Sequence, residues 1–179
     1  GAVSSQIAYN EETRSISTDC NGDMYSLHLP SRNLRKTNAN FTPAGVVASG
    51  LSLIYSGTGY AYNPDYSSAI FQGFNGNVIS GPYVYIYDGT KLRRFNKTTL
   101  TVVNDIIVPG GVNYQCSGLA ADPCGNIYAG TTNGIVVYDS ALTYLSTIPT
   151  TGAVYDVLLS SSGNILACGA GFVGNFSTN

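Results

Sequence analysis

Asp122-Pro-Cys-Gly125-Asn-Ile-Tyr128-Ala-Gly, followed by Gly134-Ile-Val-Val-Tyr138, is the stretch whose reading decides the fold. An Asp side chain that accepts backbone N–H groups opens a turn, and Gly takes the left-handed position. Asn then completes the turn before an apolar strand begins. The pattern predicts a strand from Asn126 to Ala129, a turn over 131–134, a strand from Gly134 to Tyr138 and another from Thr143 to Ile148. Short strands in succession, joined by tight turns, describe one antiparallel sheet of about four strands.

The phrase recurs. Asp19-Cys-Asn-Gly22-Asp-Met-Tyr25 aligns on it without gaps, as does Ser160-Ser-Ser-Gly163-Asn-Ile-Leu166, and Gly76-Asn-Val-Ile79 is a shorter copy. The shared glycines, at 22, 76, 125 and 163, lie 54, 49 and 38 residues apart. Those intervals bracket the roughly 40–50 residues of a four-stranded propeller blade. The runs Leu51–Tyr55, Tyr83–Tyr87 and Val154–Leu159 are also strand-like, and no segment of helical length has a 3.6-residue period. Asp88-Gly89 predicts a two-residue type I′ hairpin.

Tyr83–Tyr87 and Ile135–Tyr138 are apolar on both faces, which requires cover on both sides. A β-sandwich would alternate apolar and polar residues more strictly, whereas sheets stacked face to face around an axis meet the requirement. The expected fold is an all-β β-propeller of about four blades, approximately 1–45, 46–110, 111–150 and 151–179, the last one partial. It forms part of a larger ring. Tyr83, Tyr85 and Tyr87 share one strand face and are expected between blades.

Composition narrows function. Of 179 residues only 10% are charged, and 14 are Tyr. A hydroxyl-rich, charge-poor surface is commoner outside cells. The net charge of −2 and the small clusters Arg32/Arg35/Lys36 and Lys91/Arg93/Arg94/Lys97 lack the density of a nucleic-acid footprint. Lys91, Arg93 and Lys97 share one parity and read as the solvent face of a strand. No run of 18 apolar residues suggests a membrane span. The chain opens on Gly1 without a visible signal peptide and reads as a processed or partial product.

The four cysteines, Cys20, Cys116, Cys124 and Cys168, form no CxxC or Cys/His cluster, and His28 is the single histidine. Zinc is therefore not expected. The thiols read as free and buried, with a Cys116–Cys168 bridge between neighbouring blades as the alternative.

The Asp122–Gly130 phrase with Gly134-Ile-Val-Val-Tyr-Asp139 resembles the NHL-type propeller repeat. It lacks that repeat's Asn-x-Arg pair and the basic top surface of RNA-binding members. Over Asn75 to Phe176, the succession Tyr-Val-Tyr-Ile-Tyr-Asp-Gly, Lys-Leu-Arg-Arg-Phe-Asn-Lys-Thr-Thr, Asp-Pro-Cys-Gly-Asn-Ile-Tyr-Ala-Gly and Gly-Ala-Val-Tyr-Asp-Val looks like large Bacteroidota surface proteins. Those proteins often end in a gliding-motility-associated domain exported by the type IX secretion system. The resemblance implies an extracellular, modular, adhesive protein with protein or glycan partners on a surface. The secretion machinery and the rest of the same propeller are further implied partners.

Several residues are weighed for chemistry. Asp19, Asn21 and Asp23 space oxygens as the start of a calcium loop does, but no distal carboxylate closes the loop, so a plain turn is expected. Tyr60, Tyr62 and Tyr66 offer aromatic faces that suit sugars. Ser140, in Asp139-Ser140-Ala141, resembles the O-glycosylation acceptor of Bacteroidota. The N-glycosylation patterns at Asn40, Asn96 and Asn175 read as coincidental in a bacterial protein. No nucleophile–base motif or phosphate loop appears, and no Trp is present for sialidase-like repeats. The expectation is a non-catalytic surface module without a cofactor. The alternatives are a fragment of a secreted propeller hydrolase or lyase, and a glycan-binding propeller.

Overall fold

A computed structural model describes residues 7, 10–18, 21–29, 31, 33–49, 77–87, 89–99, 101–111, 118–160 and 162–178. The regular elements among them are fifteen strands in four antiparallel meanders. Blade 1 comprises β1 (Glu12–Thr18), β2 (Met24–Leu29), β3 (Asn33–Thr37) and β4 (Pro43–Ala48). Blade 2 comprises β5 (Asn77–Ser80), β6 (Tyr83–Tyr87), β7 (Lys91–Asn96) and β8 (Val102–Ile107). Blade 3 comprises β9 (Leu119–Ala121), β10 (Ile127–Thr131), β11 (Gly134–Tyr138) and β12 (Tyr144–Pro149). Blade 4 has three strands: β13 (Val154–Leu159), β14 (Ile165–Gly169) and β15 (Phe172–Phe176). The first strands run side by side, β1 by β5, β5 by β9 and β9 by β13. The sheets therefore fan out from a common axis, as propeller blades do.

The apolar strands are buried because each sheet is sandwiched. Tyr85, Tyr87 and Leu92 of blade 2 pack against Leu119, Ile127, Ala129, Val136 and Tyr138 of blade 3. Blade 3 turns its other face, Ala120, Tyr128, Ile135 and Val137, to Val157, Ile165 and Ala167 of blade 4. Residues of opposite parity on β10 thus enter different interfaces, which is why Gly130 and its neighbours read as a continuous apolar run. Tyr85 and Tyr87 lie between blades as expected, with Tyr83 partly buried beside them. The outermost strands face solvent, and Val102, Ile107, Tyr144 and Leu145 are all exposed.

Two local expectations need correction. Gly76 lies outside the described residues, but Asn77 starts β5, a first strand, whereas the other three glycine phrases lead into second strands. In blade 2 the equivalent turn is Gly81-Pro82, with Ser80 paired to Tyr83 and Gly81 at φ 55°. Pro82, which has no N–H to give the ladder, replaces the longer phrase there. At the predicted hairpin, Gly89 does take positive φ (82°). The register pairs Tyr87 with Leu92, however, so the connection is longer than a two-residue type I′ turn. On the face expected to meet solvent, Lys91 pairs with Asp105 at 3.6 Å with both side chains about half exposed, while Arg94, of the other parity, stacks 4.5 Å over the Tyr83 ring.

Candidate functional site

In a four-stranded meander, the first and third connections fall at one end of the sheet and the second connection at the other. Four turns on the first rim share one five-residue form. In 122–126, the Asp122 N–H donates to the Asn126 carbonyl (3.0 Å), the Gly125 N–H donates back to the Asp122 carbonyl (3.0 Å), and Asp122 Oδ1 accepts the Asn126 N–H (2.8 Å). Residues 160–164 repeat this with Ser160 Oγ accepting the Asn164 N–H at 3.0 Å, and 139–143 with Asp139 Oδ1 accepting the Thr143 N–H at 2.8 Å. In 38–42 the backbone bonds are the same, and Thr42 N–H goes to Asn40 Oδ1.

The glycine comparison finds only two of these four turns, because the left-handed fourth residue is Gly125 or Gly163 in two and Leu142 or Phe41 in the others. Leu142 tolerates φ 68° because its side chain is held in the blade 2–blade 3 core. On this rim Asp122 and Asp139 serve as turn closures. N–H groups of Thr143 and Ala141 hold Asp139 below the usual carboxylate range.

The calcium candidates divide. Asp19 lies outside the described residues, while Asn21 and Asp23 flank Gly22, which takes φ 82°. Asp23 Oδ2 pairs with Lys36 Nζ at 2.7 Å, and its Oδ1 accepts the Ala39 N–H at 3.0 Å. A lysine ammonium thus already pairs with the Asp23 carboxylate. No grouping of three or more metal-ligating side chains occurs among the described residues. Tyr60, Tyr62 and Tyr66, as well as Cys20 and Cys116, lie outside the described residues. Cys124 and Cys168 are free thiols. Cys124 is exposed and Cys168 half-buried, not buried as expected, because Cys124 sits within a rim turn and Cys168 on an uncovered sheet face. Ser140 is exposed at the tip of the 139–143 turn. Its carbonyl accepts Tyr85 OH (2.8 Å) and Arg94 Nη1 (2.6 Å) from blade 2, so the turn that carries it is fixed.

On the opposite rim, where the second connections and blade crossovers lie, the described residues are mostly small and uncharged. Thr132 is typical, its N–H and Oγ1 both donating to the Gly110 carbonyl. Blade 1 is different. Glu11 accepts Ser31 Oγ (2.5 Å) and Arg35 Nη2 (3.2 Å), while Ser26 Oγ and His28 Nε2 lie 2.8 Å apart on the same face of β2, two residues apart. The register sets Arg35 directly across from Ser26. Sequence reading missed this hydroxyl–imidazole pair, since it belongs to no motif; the alternation Ser26-Leu27-His28 in a strand was the available signal.

The pair is buried, His28 at 0% and Ser26 at 7% exposure. Burial, reinforced by the Arg35 charge and opposed by Glu11, pushes the His28 pKa down, so the imidazole is neutral at pH 7. The hydrogen bond to Ser31, more than the Arg35 charge, holds Glu11 below its ordinary value. A histidine that must stay neutral favours the fold above the unfolded pKa of about 6.5 and loses that contribution as pH falls. With one histidine in the chain, the urea midpoint should decline between pH 7.5 and 5.5, and His28→Gln should flatten the slope. An unchanged slope in the variant would remove the assignment.

No family model and no curated protein matches the chain. Solved structures do. A gluconolactonase from Xanthomonas campestris aligns with 87% of this chain and 53% of its own, at 14% identity and TM-score 0.61. Virginiamycin B lyase from Staphylococcus aureus aligns over 93% and 52%, at 13% identity and TM-score 0.64. The extracellular domain of a two-component system protein from B. thetaiotaomicron aligns over 93% and 22%, at 16% identity and TM-score 0.57. The chain thus spans about half the length of the first two. At these identities the likeness establishes the propeller fold, whose functions depend on grafted sites.

Proposed function

We propose that the chain is a non-catalytic interaction module displayed outside the cell, a stiff propeller whose rims meet protein or glycan partners on a surface. The observation that carries this reading is the engagement of five carboxylates among the described residues. Glu11, Asp23 and Asp105 are paired with cations, and Asp122 and Asp139 close their own turns. Propeller hydrolases and lyases instead need carboxylates, histidines or a metal converging on a reachable substrate. The hydroxyl-rich composition and the resemblance to exported Bacteroidota surface proteins support the location, with gliding-motility-associated adhesion and type IX export as the finer form of the reading.

One observation favours the enzyme alternative: Ser26 and His28 have the spacing of a nucleophile and its base. Burial of both side chains argues against it. The two readings separate in a paired assay of the chain and its His28→Gln variant on lactone, ester and glycan substrates, alongside binding to a glycan array and to intact bacterial surfaces. Surface or glycan retention without turnover is expected. Turnover abolished by His28→Gln would overturn the non-catalytic reading.

A further inference from the structure

The outer strand of blade 3 opens on an aromatic ring that its own packing leaves uncovered. Tyr144 is 58% exposed, while Tyr138, its register partner on β11, is 2% exposed. The pairing steps from Val137–Ser146 to Tyr138–Tyr144, so Leu145 is an extra residue and β12 is bulged there. A bulge re-aims the side chains that flank it. Here it brings Tyr144 and Thr147 together, with the tyrosine hydroxyl 3.2 Å from Thr147 Oγ1. The Tyr138 and Tyr144 rings meet edge to face, their centroids 6.4 Å apart. The Tyr138 hydroxyl is buried without a hydrogen-bond partner among the described residues. Burial, then the neighbouring Tyr144, raises its pKa, so it remains a donor.

The ring is also held from behind. Residues 139–143 lead straight into Tyr144, and blade 2 grips that turn at three points. Tyr85 OH and Arg94 Nη1 donate to the Ser140 carbonyl, and Asn104 Nδ2 donates to the Ala141 carbonyl at 3.0 Å. A platform fixed in this way loses little conformational freedom when a ligand covers it.

We infer that Tyr144 is the platform of a binding site for a neutral pyranose chain at the outer edge of blade 3, an inference that rests on the surface-module reading and gives it a ligand class. A sugar ring presents an apolar C–H face to an aromatic ring and carries hydroxyls around its rim. The Tyr144 and Thr147 hydroxyls are the polar groups that meet those hydroxyls. The unpartnered Tyr138 hydroxyl behind the platform is a further donor, reached through a bridging water. No residue of β12 is charged, which fits a neutral glycan better than an anionic one. An aromatic anchor for a protein partner is desolvated in a well-packed pocket, whereas this ring stands clear of its strand.

The test is calorimetric titration of the full chain with neutral hexaoses of glucose, mannose and N-acetylglucosamine. The chain has no Trp, so Tyr144→Trp places a single fluorescent reporter at the site. At least one hexaose is expected to bind, to shift the emission of that reporter, and to bind about tenfold more weakly to Tyr144→Ala. Tyr144→Ala, at an exposed position, should keep its far-UV circular dichroism and urea midpoint, and Leu145→Ala next to it should bind as the wild type does. Binding undiminished in Tyr144→Ala would overturn the site and leave the surface-module reading standing. Failure of every hexaose to bind would overturn the inference as well. Weaker retention of Tyr144→Ala on intact bacterial surfaces would then assign the ring to a protein partner.

Discussion

Asp122→Ala should lower the stability of the chain by about 2–4 kcal/mol, the sum expected for losing charge-assisted hydrogen bonds and stranding a buried donor. The carboxylate does three things at once. Oδ1 accepts the Asn126 N–H that closes the turn, and Oδ2 accepts Asn126 Nδ2 at 2.8 Å and Tyr128 OH at 2.9 Å. Tyr128 is wedged between blades 3 and 4. Burial, then the bond to Asp122, pushes its pKa up to about 12, so its hydroxyl remains a donor at any ordinary pH. Burial alone would raise the Asp122 pKa, but the bonds from Asn126 and Tyr128 outweigh it and hold the carboxyl below its ordinary value. The sign follows: Asp122 stabilises the fold above the unfolded pKa of about 3.9, and its contribution disappears as pH falls through the lower folded value.

The chain supplies its own control. In the equivalent turn of blade 4, Ser160 holds Asn164 N–H, and the position of Tyr128 is occupied by Leu166, which has no hydroxyl to satisfy. Asp goes with Tyr and Ser goes with Leu. Asp122→Ser should therefore keep the turn and lose mainly the Tyr128 bond. In a Tyr128→Phe background the same substitution should cost about 1 kcal/mol less, a coupling that a double-mutant cycle in urea resolves. Strict additivity would show that the hydroxyl–carboxylate bond contributes nothing.

That pairing was legible in the three aligned phrases, since Asp19 also precedes Tyr25 by the same interval as Asp122 precedes Tyr128. The blades themselves were legible for a related reason. Glycine at a left-handed position and apolar residues of both parities are local requirements, and they leave a local mark. What stayed hidden depends on contacts distant in sequence. Leu142 and Phe41 adopt glycine-like backbone angles, and for Leu142 the compensation comes from packing against another blade, which no window around it reveals. The Glu11–Ser31–Arg35 cluster joins residues 20 and 24 positions apart. The neutral state of His28 follows from burial, and Ser26-Leu27-His28 alone does not distinguish a solvated strand face from a covered one. Gly76 misled because Gly-Asn before an apolar strand marks any strand start, first or second.

Gly118→Ala is expected to be strongly destabilising, costing about 3 kcal/mol or more. Gly118 precedes β9 at the place where blade 3 meets blade 4, and its carbonyl accepts the Gly130 N–H at 2.9 Å. A β-carbon there would meet Asp156 Cα, with Val157 N at 2.6 Å and the Asp156 carbonyl carbon at 2.7 Å. Every one of these atoms is backbone, so no side chain can swing aside, and relief requires moving β13 as a whole. Gly163→Ala is the contrasting case: its φ of 84° strains any β-carbon, but nothing lies within 4 Å of the added atom. That substitution should cost only about 1–2 kcal/mol, the local left-handed penalty. The two glycines thus separate steric closeness between blades from backbone conformation within a turn. In urea unfolding, Gly118→Ala should shift the midpoint further than Gly163→Ala and loosen blade 4 first, seen as faster amide exchange in residues 154–176. Equal midpoints would mean that blades 3 and 4 can part without loss, and the close approach at Asp156 would then have no part in holding the stack together.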